Sequence, residues 1–330
     1  MNDKATSTEL GGKAGGGTIS YENLPQSASP GTGIRNNIIA SYLSAADILT
    51  SEGSSNANIL IIPGIREPVV TDRVSNKVRD NSRMIYLMDI PTYDKSSNRL
   101  FEDSNVNINV NKTVDKFSAR SIDNNYVATY FPDTFVNTTA VSKITRVPAS
   151  VSAFQALGYN DSVKFPWFAP AGFNRGALDN VVNTTCKLNT ADRDNLYEAR
   201  INPIAQFATG AIVVFGQKTL QLDRSALDRV NVRRMVLEVK RIVSGIAGDF
   251  VFEQNTQLLK DRFIAQVTPR LALVQAEEGI DKFRVIMDST NNTALDEEQN
   301  RLNGTIIIVP TRAVEFIAVD FIITNSGVIF

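Results

Sequence analysis

Apolar residues recur at two periods along the chain, and the change from one to the other marks out the expected elements. Ile38, Ile39, Tyr42, Leu43 and Ala46 keep helical spacing through residues 36–49, before the polar break SEGSSNAN. Ile59–Ile62 is a short apolar run closed by Pro63-Gly64, and Met84–Met88 is a second, closed by Asp89-Ile90-Pro91. Between them Thr71–Asp80 reads as a helix with Val74 and Val78 inward. Unbroken apolar strands flanking a helix predict a βαβ unit with a parallel pair, because such strands are covered on both faces. Tyr126–Phe131 resumes the strand pattern. In between, residues 92–125 are polar, and NVNINVN (Asn105–Asn111) alternates at a period of two, which predicts a half-exposed edge strand or hairpin.

Beyond Val147 the pattern tightens. A helix is expected over Ser150–Leu157, a packed aromatic loop at PWFAPAGF (Pro166–Phe173), a short helix over Asp192–Arg200, and a hairpin of Ile204–Phe207 with Ala211–Phe215 around Gly210. The strongest helical signal is Asn231–Phe252, where Val232, Met235, Val236, Val239, Ile242, Val243 and Ile246 form one stripe and Arg233, Arg234, Lys240 and Arg241 take the rest. Gln257–Ala276 buries Leu259, Phe263, Val267, Leu271 and Val274, with a kink expected at Pro269. Strands are expected at Phe283–Met287, Thr305–Val309 and Val314–Thr324, the last placing Ile317, Val319, Phe321 and Ile323 on one face. The expected organisation is a flexible Gly/Ser-rich segment (1–35), a discontinuous core (36–91 and 126–330) and a polar β-rich excursion (92–125).

Composition then removes whole classes of chemistry. Among 330 residues there is no histidine, which excludes Ser-His-Asp triads, Cys-His dyads and His-ligated zinc. The one cysteine, Cys186, reads as a small buried apolar residue. Lys plus Arg number 34 against 35 Asp plus Glu, so no basic excess points to nucleic acid. The longest apolar runs, Met84–Met88 and Ala211–Phe215, are far short of a bilayer span, and MNDKATSTEL lacks the blocks of a secretory signal; the expectation is a soluble, intracellular product without membrane insertion.

Local motifs fail on inspection. GTGIRN (Gly31–Asn36) has Asn36 at the third glycine position of a dinucleotide fingerprint, and Lys13 has no P-loop around it. Asp103, Asn105 and Asn107 open like an EF-hand, but Ile108 and Val114 stand where glycine and glutamate are needed. No cofactor and no metal site is expected. A carboxylate-dependent hydrolase of α/β type needs no histidine and stays open as a different class of function.

Several stretches, in order, resemble the contractile tail sheath protein family of phages and related injection machines. VPASVSAFQALGYND (Val147–Asp161) is similar to the family's proline–serine segment leading into a helix, and KFPWFAPAGF (Lys164–Phe173) to its aromatic loop. INPIAQFATGAIVVFGQKTLQ (Ile201–Gln221) resembles its Asn-centred strand, glycine turn and following strand. VNVRRMVLEVKRIV (Val230–Val243) and FVFEQNT (Phe250–Thr256) resemble a helix start and the turn after it; IIPGIREPV (Ile61–Val69) and IYLMDIPTY (Ile85–Tyr93) match more weakly. The resemblance covers roughly residues 57–90 and 126–330. One departure is the start, where GGKAGGG stands in place of the family's short "PGVY" arm, so the arm has diverged or the chain is a trimmed part of a larger sheath protein.

The resemblance implies an α+β fold: a tail-sheath-like α/β core with a C-terminal β-strand and a polar β-rich excursion. It implies a structural subunit, not an enzyme, that polymerises as stacked rings around a tail tube protein and contracts to drive the tube through an envelope. Further partners would be baseplate and tail terminator proteins, in a virion tail assembled in the host cytoplasm; a sheath of a bacterial injection or secretion device is the alternative. Val314, Ile317, Val319, Phe321 and Ile323 would then form a strand added to a neighbour's sheet, each buried side chain contributing about 1.5–3 kcal/mol. Lys260, Arg262 and Arg270 would form a basic helix face toward the tube. Arg233 and Arg234 would cap their own helix or make intersubunit ion pairs.

Overall fold

The computed structural model describes residues 37–51, 57–101, 107–138 and 143–315. The N-terminal segment 1–35 and Ile317, Val319, Phe321 and Ile323 of the expected last strand lie outside the described residues. The chain begins with α1 (Asn37–Leu49) and the predicted βαβ unit: β1 (Ile59–Ile61), α2 (Pro68–Asn81) and β2 (Ile85–Met88). β1 and β2 are parallel, Ile59 opposite Ile85. Proline in the first turn of α2 gives up no helical hydrogen bond, and Val70, Val74 and Val78 form its buried face.

Residues 92–125 depart from expectation. β3 (Thr92–Tyr93) and β4 (Arg99–Leu100) make a two-rung hairpin, but the Asn/Val alternation leads into a helix, α3 (Val110–Ser118). Asn109 accepts a hydrogen bond from the Lys112 amide and so caps the helix, and Val110, Thr113 and Phe117 are its buried face. The period-two pattern misleads because its third asparagine, Asn109, acts as a helix cap, where asparagine is strongly preferred, while Val110 and Phe117 repeat at a helical interval.

β5 (Val127–Phe131) continues the sheet, followed by β6 (Thr134–Thr138), β7 (Lys143–Val147) and α4 (Ala149–Val163). Then come α5 (Gly172–Arg175), β8 (Val181–Thr184), α6 (Thr190–Glu198), β9 (Ile201–Gln206) and β10 (Ile212–Val214). Strand order in the main sheet is β1-β2-β5-β9-β10. The first four are parallel and β10 returns antiparallel, as the Gly210 turn predicts. β7, β6 and β8 form a separate antiparallel sheet. Asn202 is buried in β9; its amide donates to the Thr129 and Lys218 carbonyls and its oxygen accepts from the Lys218 amide. One side chain thereby ties β9 to β5 and to the segment after β10.

α7 (Val230–Gly248), α8 (Gln257–Ala276), β11 (Ile280–Ile286), α9 (Ala294–Glu298) and β12 (Thr305–Pro310) complete the fold. α8 runs on through Pro269 as one helix. Pro269 lies on the exposed side, as does Ala265, whose carbonyl loses its amide partner and can turn to water instead. Two apolar clusters result. The larger surrounds the main sheet; the smaller joins α7, α8, Trp167 and the β11–β12 hairpin. α7 serves both, with Val230 and Leu237 in the first and Val232, Met235 and Val239 in the second.

Candidate functional site

The β11–β12 hairpin is a two-stranded sheet. Phe283, Val285, Ile306 and Ile308 turn toward α8 and the smaller core. The opposite face carries Ile307 and Val309, 51% and 46% exposed, across from Arg284 and Lys282. Among the described residues no third strand joins this sheet. Its outer edges therefore offer backbone amides and carbonyls to an added strand, beside apolar side chains that such a strand would cover.

The three basic residues expected along α8 do not share a face. Arg262 and Arg270 are exposed, and the Arg262 guanidinium lies 5.6 Å from the centroid of the Phe250 ring. Lys260 is only 7% exposed, which corrects the expectation. It precedes Phe263 by three residues and Val267 by seven, so helical spacing puts it on the apolar stripe and its stem is packed there.

Arg233 and Arg234 are also corrected: both are buried within the subunit. Arg233 lies over the Tyr126 ring, 4.0 Å from its centroid, and its Nε donates to the Asn125 carbonyl. Arg234 pairs with Asp161 of α4. The first half of α7 is covered on two sides by the two cores, which leaves these arginines no solvent face. Their spacing off the apolar stripe gives no hint of this.

A cluster that sequence reasoning missed sits where the C-terminal segment leaves the fold. Glu315 accepts from Arg229 Nε and Nη2 at 2.7 and 3.0 Å, from the Tyr197 hydroxyl at 2.7 Å and from Gln217 at 3.1 Å. Burial disfavours the Glu315 charge, but the hydrogen bonds from Tyr197 and Arg229 outweigh it and hold the carboxyl below its usual range. Burial also pushes the Tyr197 hydroxyl up to about 12, keeping it a donor. No motif joins these residues in sequence; three elements bring them together. Nearby, Phe173, Phe207 and Phe215 form an edge-to-face cluster. The aromatic loop expected to pack does so through Trp167, whose indole donates to the Glu277 carbonyl at 2.7 Å, while Phe173 stays 55% exposed.

The paired-acid alternative can be tested on Asp89 and Asp133, which are buried where β2 and β5 end. This end of a parallel sheet is the customary place for a ligand. Here the carboxylates face inward. Asp89 accepts from Gly64 N, Ser150 N and Ser150 Oγ; Asp133 accepts from Ala149 N, Arg66 and Arg146. The N-cap residue of α4, Pro148, supplies no side-chain bond, and these two acids do so in its place. With Asp133 held by two arginines and both acids tied to the first turn of a helix, the hydrolase reading has no support. Cys186 is half-buried, and burial pushes its thiol to about 11, away from reactivity.

No family model matches the chain. Over 184 residues, 56% of the chain, it is 34% identical to the tail sheath protein of Vibrio phage KVP40. The chain is a homologue of phage tail sheath proteins. A second sheath relative, from Enterobacteria phage T4, is 32% identical over 184 residues. These matches span 27% and 28% of the relatives' own lengths, so the shared stretch is about a quarter of each. The fold is shared more widely. A chain in the cryo-EM structure of an extracellular contractile injection system, the PVC sheath complex in its contracted state, superposes with a TM-score of 0.68 at 18% identity, over 81% of this chain and 71% of that one.

Proposed function

We propose that this chain is the structural subunit of a contractile phage tail sheath, polymerising around a tail tube and contracting to drive it through the host envelope. The observation that carries the reading is the sequence shared with phage tail sheath proteins, set on a fold also found in a contracted injection-system sheath. Copies of the chain, the tail tube protein, baseplate and tail terminator proteins are its partners, and the virion tail, assembled in the host cytoplasm, is its place. Function then lies in contacts between subunits instead of in a catalytic pocket.

Two surfaces support particular contacts. The open edges of the β11–β12 sheet suit an incoming strand, and the segment Val314, Ile317, Val319, Phe321 and Ile323 of a neighbouring copy has the alternation to fill one, with each main-chain hydrogen bond contributing about 0.5–1.5 kcal/mol. Arg262 and Arg270 form the basic part of α8 that faces the tube through salt-sensitive pairs. Negative-stain microscopy of the purified chain with its tail tube protein tests the whole: striated tubes are expected, and particles that stay monomeric at every concentration, with the tube left bare, count against it.

A further inference from the structure

Val314 and Glu315, the last residues the structure describes, line a groove of about 380 Å³ together with Ala169, Ala171, Gly172, Pro203 and Phe215. Phe215 is 43% exposed and belongs to the aromatic cluster with Phe173 and Phe207. Thr190, Arg193, Asp194, Tyr197 and Gln217 complete the lining, so the groove has a polar side facing an apolar one built on Phe215, and an open groove with an exposed ring on its wall marks a docking site.

The fold itself points to the occupant. Glu315 is fixed by four hydrogen bonds at the lip of the groove, and the residues that come next are Phe316, Ile317, Ala318 and Val319. An extended chain advances about 3.3 Å per residue, so these residues are delivered to the groove at high effective concentration and with no charge among them. We propose that the groove receives Phe316–Val319 of the same chain, parking the C-terminal segment on its own subunit. The Glu315–Arg229 pair is the hinge from which the segment docks or leaves. Only the final step, departure from the groove to pair with a neighbour, rests on the sheath reading; the docking is a property of the single subunit.

The test uses the full, unassembled chain with Cys186→Ser, cysteines at Phe173 and Ile317, and mild oxidation at micromolar concentration. A disulfide within one chain, mapped by mass spectrometry and forming at least tenfold faster than when Glu315→Ala is added, is the expected result. A disulfide formed mainly between two chains would assign the groove to a second copy and overturn the proposal, as would a rate indifferent to Glu315→Ala. A second readout needs no cysteine. Arg312 is the last trypsin site in the sequence, and release of the fragment 313–330 should accelerate several-fold in Phe215→Asp. Unchanged release in a variant with native circular dichroism would likewise overturn the proposal. Neither measurement requires tubes, so failure of the sheath reading would show separately, as wild-type chains that never assemble.

Discussion

Asp89 takes both the amide and the hydroxyl of Ser150, at 2.9 and 2.7 Å, and so holds the first turn of α4 against the end of β2. Burial raises its carboxyl to about 6, the nearby Arg66 charge offsetting only part of the cost and Asp133 adding to it. Because the folded value exceeds the unfolded one near 3.8, Asp89 keeps a proton in the fold that it loses on unfolding between those two values. Its contribution to stability therefore rises as pH falls from 7 to 5, by about 1–2 kcal/mol. Urea unfolding of wild type and Asp89→Asn at the two pH values should show wild type gaining on the variant under acid. Parallel responses would mean that Asp89 does not hold that proton.

Asn202→Leu should be among the most damaging single substitutions. It removes three hydrogen bonds and leaves two carbonyls and an amide without them in the interior. A loss of about 2–4 kcal/mol is expected, taking unsatisfied buried groups at 1–3 kcal/mol each with partial relaxation. The denaturation midpoint reads it directly; a loss below 1 kcal/mol would show that these groups find other partners.

The two arginine pairs should separate cleanly by assay. Arg262→Glu with Arg270→Glu changes exposed positions, so the melting temperature should stay within about 2 °C while co-sedimentation with tail tubes drops and its salt dependence weakens. Tube binding as tight as wild type would remove α8 from the tube-facing surface.

Arg233→Ala should behave in the opposite way. Its guanidinium is buried over Tyr126, so truncation loses packing and a hydrogen bond, about 1–3 kcal/mol, before any assembly step. Normal monomer stability with impaired assembly would return Arg233 to an intersubunit role.

Trp167 is the sole tryptophan and bridges the smaller core to the end of α8, so its fluorescence reports on that junction. Trp167→Phe keeps most of the apolar area but removes the donor to Glu277, for an expected cost of about 0.5–1.5 kcal/mol. Gly279→Ala attacks the same contact sterically, since an added Cβ would lie 2.8 Å from Val274 and 3.0 Å from the Trp167 ring. Thermal melts followed by fluorescence should show a lower midpoint for Gly279→Ala than for wild type. Equal midpoints would show that the indole shifts freely.

What the chain's pattern made legible was whatever a single period encodes. Met84–Met88 could be read as a buried parallel strand, and Phe263, Val267 and Leu271 as a helix face, because one local spacing determines each. The errors arise where two features share residues. Asn109 belongs both to an alternating run and to a helix cap, and the cap prevails. Lys260 is charged yet falls on an apolar stripe, where its long stem is buried. Arg233 and Arg234 lie off the stripe of α7, but a second core covers that side too. Asp89 and Glu315 gave no signal, since each gains its meaning from partners 61 and 86 residues away, Ser150 and Arg229.

The helix α7 is a common wall of both apolar clusters, Leu237 facing one and Val239 the other. Sliding one half of the molecule past the other would have to unpack that wall on both sides at once. In the proposed sheath the subunit would therefore travel as a block. Hydrogen exchange along α7 should then be the same in a long tube and a short one, and a probe placed there would register the motion of the lattice without distortion of the subunit.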